Sequence, residues 1–180
     1  MVAKYLGIHV DEKLSWSQHV NAVCKKISKL GYVFRVLANY IDYKQICQLY
    51  YAYVYPHIHY GIEVYGTCSK TAMQSLQVSQ NNLLRILLHK NHRYSATEMH
   101  NMLDLLKIKD VFETAILTFV FKQRSKLLPL VFDNYYHVVS ERVTRSMINN
   151  NLHVEFARTT GRMKAIKILG DKLWNNYHQL

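Results

Sequence analysis

Hydrophobic positions give the first outline of this chain. Val20, Val23, Ile27, Leu30, Phe34, Leu37 and Ile41 recur every three or four places, the spacing of one face of an α-helix. The pattern predicts an amphipathic helix from about residue 16 to about residue 40, opened by a capping box of Ser15 and Gln18. Lys25, Lys26 and Lys29 fall on the opposite side, either as a solvated face or as one that meets phosphates. Upstream, residues 4–10 (KYLGIHV) alternate, with Leu6, Ile8 and Val10 on one side. They predict a half-buried strand. Asp11, Glu12 and Lys13 would form a polar turn, and Leu14–Trp16 a short returning strand. A lone hairpin is marginal in water and must pack on something.

Asp42 with Gln45 is a second capping box, followed by YYAYVYPHIHYGIEVYG at 50–66. Ile46, Leu49, Tyr50, Tyr53, His57, Tyr60 and Val64 share one helical face, and Tyr51, Tyr55, Ile58 and Ile62 fill the other. A helix apolar on all sides belongs inside a bundle. Pro56 is expected to kink or split it, and Gly66 to end it. Thr71 with Gln74 opens a further helix carrying Met73, Leu76, Leu83, Leu84 and Leu87, which runs into the basic stretch HKNHR at 89–93. Ser95 with Glu98 caps another, reaching Leu106. Asp110 with Glu113 opens the next, stopped by LLP at 127–129. Residues 133–165 are poorer in apolar side chains and read as loop or loosely packed helix. Leu169, Leu173 and Trp174 give IKILGDKLWNNYHQL helical spacing, which Gly170 weakens.

Composition agrees with the pattern. Six glycines and two prolines in 180 residues leave little room for the turns of a many-stranded sheet. The expected class is therefore mainly α, a helical bundle with a short N-terminal β-hairpin. A formal charge of +11 points to a polyanionic partner, nucleic acid before an acidic membrane surface. Cys24, Cys47 and Cys68 are odd in number and lack CxxC spacing. With no targeting segment in view, an intracellular setting is expected, nuclear or cytoplasmic being undecided. The longest apolar run, AILTFVF at 115–121, is far short of the ~20 residues that span a membrane.

Little in the chain suggests catalysis. On a helix, His57 and His59 point about 200° apart and cannot share a metal ion. The tyrosines around them supply bulk and hydroxyls that each need a partner. There is no Gly-x-Ser-x-Gly elbow and no glycine-rich phosphate loop. Two-metal phosphoryl transfer needs clustered carboxylates. The chain has only 12 acids and no Asp-Asp pair, and Asp11–Glu12 reads as a solvated turn.

Taken in order, the segments resemble the C-terminal third of a reverse transcriptase from a non-LTR (LINE-type, jockey-like) retrotransposon. KYLGIHVDEKLSW at 4–16 resembles the Tyr-Leu-Gly hairpin that leaves the palm of that family. HVNAVCKKISKLGYVFRVL at 19–37 is similar to the first helix after it, and LYYAYVYPHIHYGIEVYG at 49–66 to the helix with a central Pro followed by Tyr-Gly. LQVSQNNLLRILL at 76–88 matches the Gln-to-Arg helix at Gln80 and Arg85. LLKIKDVFETAI, LLPLVF and Thr144–Arg145 follow in order, and GDKLWNNYHQL resembles the closing Gly-x-x-Leu-Trp-Asn element.

The resemblance implies a palm-exit hairpin at 1–16, a thumb-like helical bundle at 17–132 and a C-terminal tail segment at 133–180. It also implies a fragment: the polymerase carboxylates, with their aromatic-x-Asp-Asp turn, would lie upstream of residue 1. The chain by itself is then no enzyme, and magnesium is expected only with the missing palm. Its partner would be an RNA/DNA template–primer duplex. Lys25, Lys26 and Lys29 would lie along phosphates, Arg85, Lys90 and Arg93 would form a second basic edge, and Arg145, Arg158 and Arg162 are further candidates. The alternative is a non-catalytic interaction module or decayed retroelement product, pairing with the missing palm or with itself.

Overall fold

The computed structural model describes residues 2–133, 135 and 152–177. Helices dominate, with one two-stranded antiparallel sheet at the N-terminal end, so the mainly α class is the one observed. The chain divides into two compact units, Met1–Phe112 and Glu113–Leu180.

The first unit opens with strands β1 (Val2–Tyr5) and β2 (Ile8–Asp11), paired so that Tyr5 faces Ile8 and Val2 faces Asp11. Leu6 and Gly7 make the turn, with φ of 45° and 85°. Positive φ at both central positions is what a tight hairpin turn demands, and Gly7 supplies one of them without strain. The single strand expected over residues 4–10 is therefore two strands, and the returning strand expected at 14–16 is absent. The alternation of Leu6, Ile8 and Val10 concealed the reversal. Instead, the Asp11 carboxylate accepts the backbone N–H groups of Ser15 and Trp16, each at 2.9 Å, and these bonds hold its pKa below the usual carboxylate range.

Helix α1 (Ser17–Leu37) starts after Trp16, which sits in the left-handed region, and its N-terminus receives no side-chain cap. The Ser15–Gln18 capping box is thus not formed, because the N-cap position falls on Trp16 and the Ser15 N–H already donates to Asp11. The buried stripe of α1 is His19, Val20, Val23, Ile27, Gly31 and Phe34. It packs against α5 (Lys70–Leu87), which buries Leu76, Gln80, Leu83, Leu84 and Leu87. Gly31 permits the crossing: a Cβ there would lie 3.2 Å from Cδ1 of Ile86.

The tyrosine-rich segment departs from one straight helix. Helix α2 (Tyr43–Leu49) has the expected Asp42–Gln45 capping box. It continues through a π-helical stretch, Tyr50–Val54, into α3 (Tyr55–His59), with Pro56 in the first turn of α3, where a missing N–H is tolerated. Extended Tyr60 and left-handed Gly61 break the chain before α4 (Ile62–Tyr65), and Gly66 closes it as expected. The wider π turn re-phases the helix, so the buried side chains are Tyr50, Val54, Ile58, Ile62 and Tyr65. Tyr51, Tyr53, Tyr60 and Val64 are exposed. The segment is one-sided, and not buried all round as its composition suggested.

Ser69, rather than Thr71, caps α5 through the Ala72 N–H. Helix α6 (Ala96–Leu103) has its expected Ser95 cap but stops at left-handed Asp104, short of Leu106. Helix α7 (Ile108–Arg124) begins before Asp110, with the Ile108 N–H donating to Gln77 Oε1 at 2.8 Å.

The second unit contains the later turns of α7, a 3₁₀ turn at Leu130–Phe132, and helices α8 (Thr160–Met163) and α9 (Ile166–Tyr177). Phe119, Phe132 and Tyr135 form an edge-to-face ring cluster. The Asn175 carboxamide both accepts from and donates to the Leu152 backbone, at 2.7 and 2.9 Å. Gly170 is buried within α9 without ending it. Of the span expected to be loop or loose helix, residues 152–157 are irregular, while 136–151 lie outside the described residues.

Candidate nucleic-acid interface

Helix α1 contains no Asp or Glu and has four cations, Lys25, Lys26, Lys29 and Arg35. Its apolar stripe is turned into the core, which leaves all three lysines exposed. Among the described residues none of the three has an acid within ion-pair distance. A groove of about 630 Å³ runs beside them, lined by His9 of β2 and by Gln18, Asn21, Ala22, Cys24, Lys25, Ser28 and Lys29.

Histidines lie close to the same face. The backbone N–H of His9 donates to Nδ1 of His19 at 3.4 Å, and the His19 ring packs edge-on to Tyr65 at 4.7 Å. Burial lowers the pKa of His19, with His9 and Lys26 adding to the effect. Burial also lowers that of His57, again with help from Lys26. Both imidazoles are thereby favoured in the neutral form, so the charge of the face resides on the lysines.

The second predicted basic edge is built differently. Arg85 is half-buried in the last turn of α5, where Nη1 donates to Asn82 Oδ1 at 3.1 Å and Nη2 to the Tyr94 carbonyl at 3.3 Å. Its guanidinium holds the 89–94 loop in place. Lys90 lies 4.9 Å from the centre of the Tyr94 ring, and Arg93 is exposed. In the second unit Arg158 is exposed, while Arg162 and Lys167 both pair with Glu155. Arg145 lies outside the described residues.

Sequence reasoning missed a buried polar network within the first unit. Gln80 Nε2 donates to Tyr50 Oη and to the Leu106 carbonyl at 3.0 Å, and Gln77 Nε2 donates to Gln80 Oε1 and Asn81 Oδ1 at 2.8 and 2.9 Å. His100 Nδ1 donates to the Leu105 carbonyl at 2.9 Å. The signal was present in the run QVSQNN, whose Gln77, Gln80 and Asn81 are spaced as one helical face.

Metal-ligand geometry is lacking among the described residues. His57 and His59 both lie on α3, and His59 stacks on Tyr55 at 5.2 Å. Among the described residues no three His, Cys, Asp or Glu side chains are grouped to hold an ion. Nor is any helix among them long and apolar enough to cross a membrane.

Comparison with known proteins adds a likeness. The chain is 27% identical over 111 residues to a probable RNA-directed DNA polymerase from transposon BS of Drosophila melanogaster, covering 60% of this chain. It is 27% identical over 86 residues to the RNA-directed DNA polymerase from mobile element jockey of the same organism, covering 46% of this chain. The chain resembles the reverse transcriptases of non-LTR retrotransposons. The matched segments are only 12% and 9% of the length of these polymerases. No family model matches the chain, and no solved structure matches it. The face and groove described above thus belong to a helical chain that is similar, over part of its length, to a small part of such polymerases.

Proposed function

We propose that this chain is a thumb-type, C-terminal segment of a retroelement reverse transcriptase, which grips template–primer duplex and leaves the chemistry to a palm supplied from elsewhere. The observation that supports this most is the acid-free outer face of α1, where Lys25, Lys26 and Lys29 stand unpaired among the described residues beside an open groove. Three ammonium groups on one rigid helix can follow a phosphate backbone and position it without reading sequence. Lys90 and Arg93 extend the basic surface at the end of α5, and Arg158 is a further candidate. Arg85 is the weaker contact, because its guanidinium already serves the protein. Magnesium belongs to the palm in this reading.

The test is the salt dependence of binding to an RNA–DNA hybrid. Each phosphate contact contributes roughly 0.9 to the slope of log affinity against log salt. Replacing Lys25, Lys26 and Lys29 by alanine should lower the slope by about 2 to 3. An unchanged slope removes α1 from the interface.

A second reading is favoured by the hairpin turn, where Tyr5 is 70% and Leu6 71% exposed. Such a surface suits pairing with the remainder of a polymerase or with a second copy. Concentration-dependent dimers with no affinity for nucleic acid would support it over the first.

A further inference from the structure

The outer face of α1 changes character along its length. Lys25, Lys29, Tyr32 and Val36 are spaced four, three and four residues apart, so they form one line on the helix. That line is opposite the buried stripe of Val20, Val23, Ile27, Gly31 and Phe34. Gly31 faces Ile86 of α5 on the buried side. Tyr32 is 77% exposed, with Val33 and Val36 exposed beside it. Just past the helix, Tyr40 is 82% exposed on a turn closed by its own N–H to the Leu37 carbonyl at 2.9 Å.

Two large aromatic rings held in water beside an apolar step need a reason. Charge supplies one. From residue 13 to residue 62 the chain contains six Lys or Arg and one acid, Asp42, which is occupied as the cap of α2. An acidic protein surface would be drawn to the lysines, and tyrosines serve protein interfaces too; what favours nucleic acid is the acid-free length of the face beside them. Nucleic acid uses both: its backbone meets cations, and an unpaired base stacks on an aromatic face.

We propose that Tyr32 and Tyr40 form a stacking platform for unpaired nucleobases, placed so that a strand leaving a duplex on Lys25 and Lys29 runs onto it. The inference rests on the reading of α1 as a phosphate-binding face and adds the class of ligand it takes: a duplex with a single-stranded tail. Val36, exposed on the same line of α1, lies one helical turn beyond Tyr32. Arg35, one helical turn from Tyr32, adds a cation on the flank.

The experiment compares three RNA–DNA hybrids by fluorescence anisotropy with the full chain: blunt, with a tail of about four nucleotides, and with the same tail lacking its bases. A stacked base contributes enough that the tail should tighten binding about tenfold, and the abasic tail should not. Tyr32→Ala with Tyr40→Ala should abolish that gain while leaving the blunt-hybrid affinity and salt slope unchanged. Tyr32→Phe with Tyr40→Phe, which keeps the rings, should retain it. A tail that brings no gain, an abasic tail as good as the complete one, or a gain that survives the alanine variant overturns the platform and leaves the phosphate face standing. Failure to bind any of the three hybrids overturns both. Concentration-dependent dimers in sedimentation that Tyr32→Ala disperses would assign the stripe to self-association, and overturn the platform as well.

Discussion

The carboxamide of Gln80 donates to the hydroxyl of Tyr50 across 2.6 Å, and both side chains are sealed from solvent. The pair joins α5 to the π-helical stretch, and burial pushes the Tyr50 phenol far above its ordinary range. Removing one partner strands the other in the core, which costs more than the bond itself contributes. Gln80→Leu should therefore destabilise the protein by about 2 kcal/mol, and Tyr50→Phe by about 1 kcal/mol. The two together should cost less than their sum, because the double variant leaves no orphan at this contact. Urea unfolding of the four proteins measures this; strict additivity would mean the contact is not coupled.

Two glycines predict different penalties for one added methyl group. At Gly66 a Cβ would fall 2.3 Å from the Phe112 ring and 2.5 Å from the Ile62 carbonyl oxygen. A backbone oxygen cannot step aside, so Gly66→Ala should cost roughly 2 kcal/mol or more. At Gly31 the nearest atom is the mobile Cδ1 end of Ile86 at 3.2 Å. Gly31→Ala should cost less than about 1 kcal/mol, since helix propensity favours Ala by a similar amount. Equal losses in thermal or urea unfolding would contradict these geometries.

These relationships also mark what the sequence made legible. Apolar period identified α1 and α5, because each has one clear buried stripe, and the Asp42 and Ser95 caps are local patterns that formed locally. The hairpin was placed in the right region but with its turn misread, because Leu6 continues an alternating pattern through a reversal that only Gly7 betrays. The tyrosine segment was judged apolar on every side because residue type cannot reveal a π turn, and a single inserted residue moves the whole stripe. At the site, the exposed lysines of α1 were legible from their place opposite the apolar face. The local duty of Arg85 was not, because its partner is the backbone oxygen of Tyr94, which no sequence pattern specifies.

His19 makes stability depend on acidity. Its Nδ1 accepts the His9 N–H, which requires that nitrogen to be unprotonated. Burial first, then His9 and Lys26, lowers its pKa from the ordinary imidazole value of 6.5. The unfolded chain therefore binds this proton at a pH where the folded chain does not, and stability falls as pH drops below about 6.5. Asn at this position keeps an acceptor and cannot titrate. The stability difference between wild type and His19→Asn should thus change across pH 5 to 6.5 in favour of the variant at the acid end, by at most about 1.4 kcal/mol per pH unit. A difference that stays constant across this range would show that His19 titrates alike in both states.

Asp171 predicts the opposite dependence, in the second unit. Asp171 is 2% exposed, and Oδ1 has no hydrogen-bond partner among the described residues. Glu155 nearby is occupied by Lys167 and Arg162. Burial raises the Asp171 pKa from 3.8 to about 7, partly offset by Lys167. Between those values the folded state retains a proton that the unfolded state has released, so stability declines as pH rises and this contribution is gone above about 7. Asp171→Asn removes the cost of the buried anion. Protection factors for the amides of Ile166–Tyr177, which factor out the intrinsic pH dependence of exchange, should rise in the variant by about tenfold at pH 8 and differ little at pH 5. Equal protection at pH 8 would mean that the ionised carboxylate is solvated where it stands, and that its burial does not weaken the last helix.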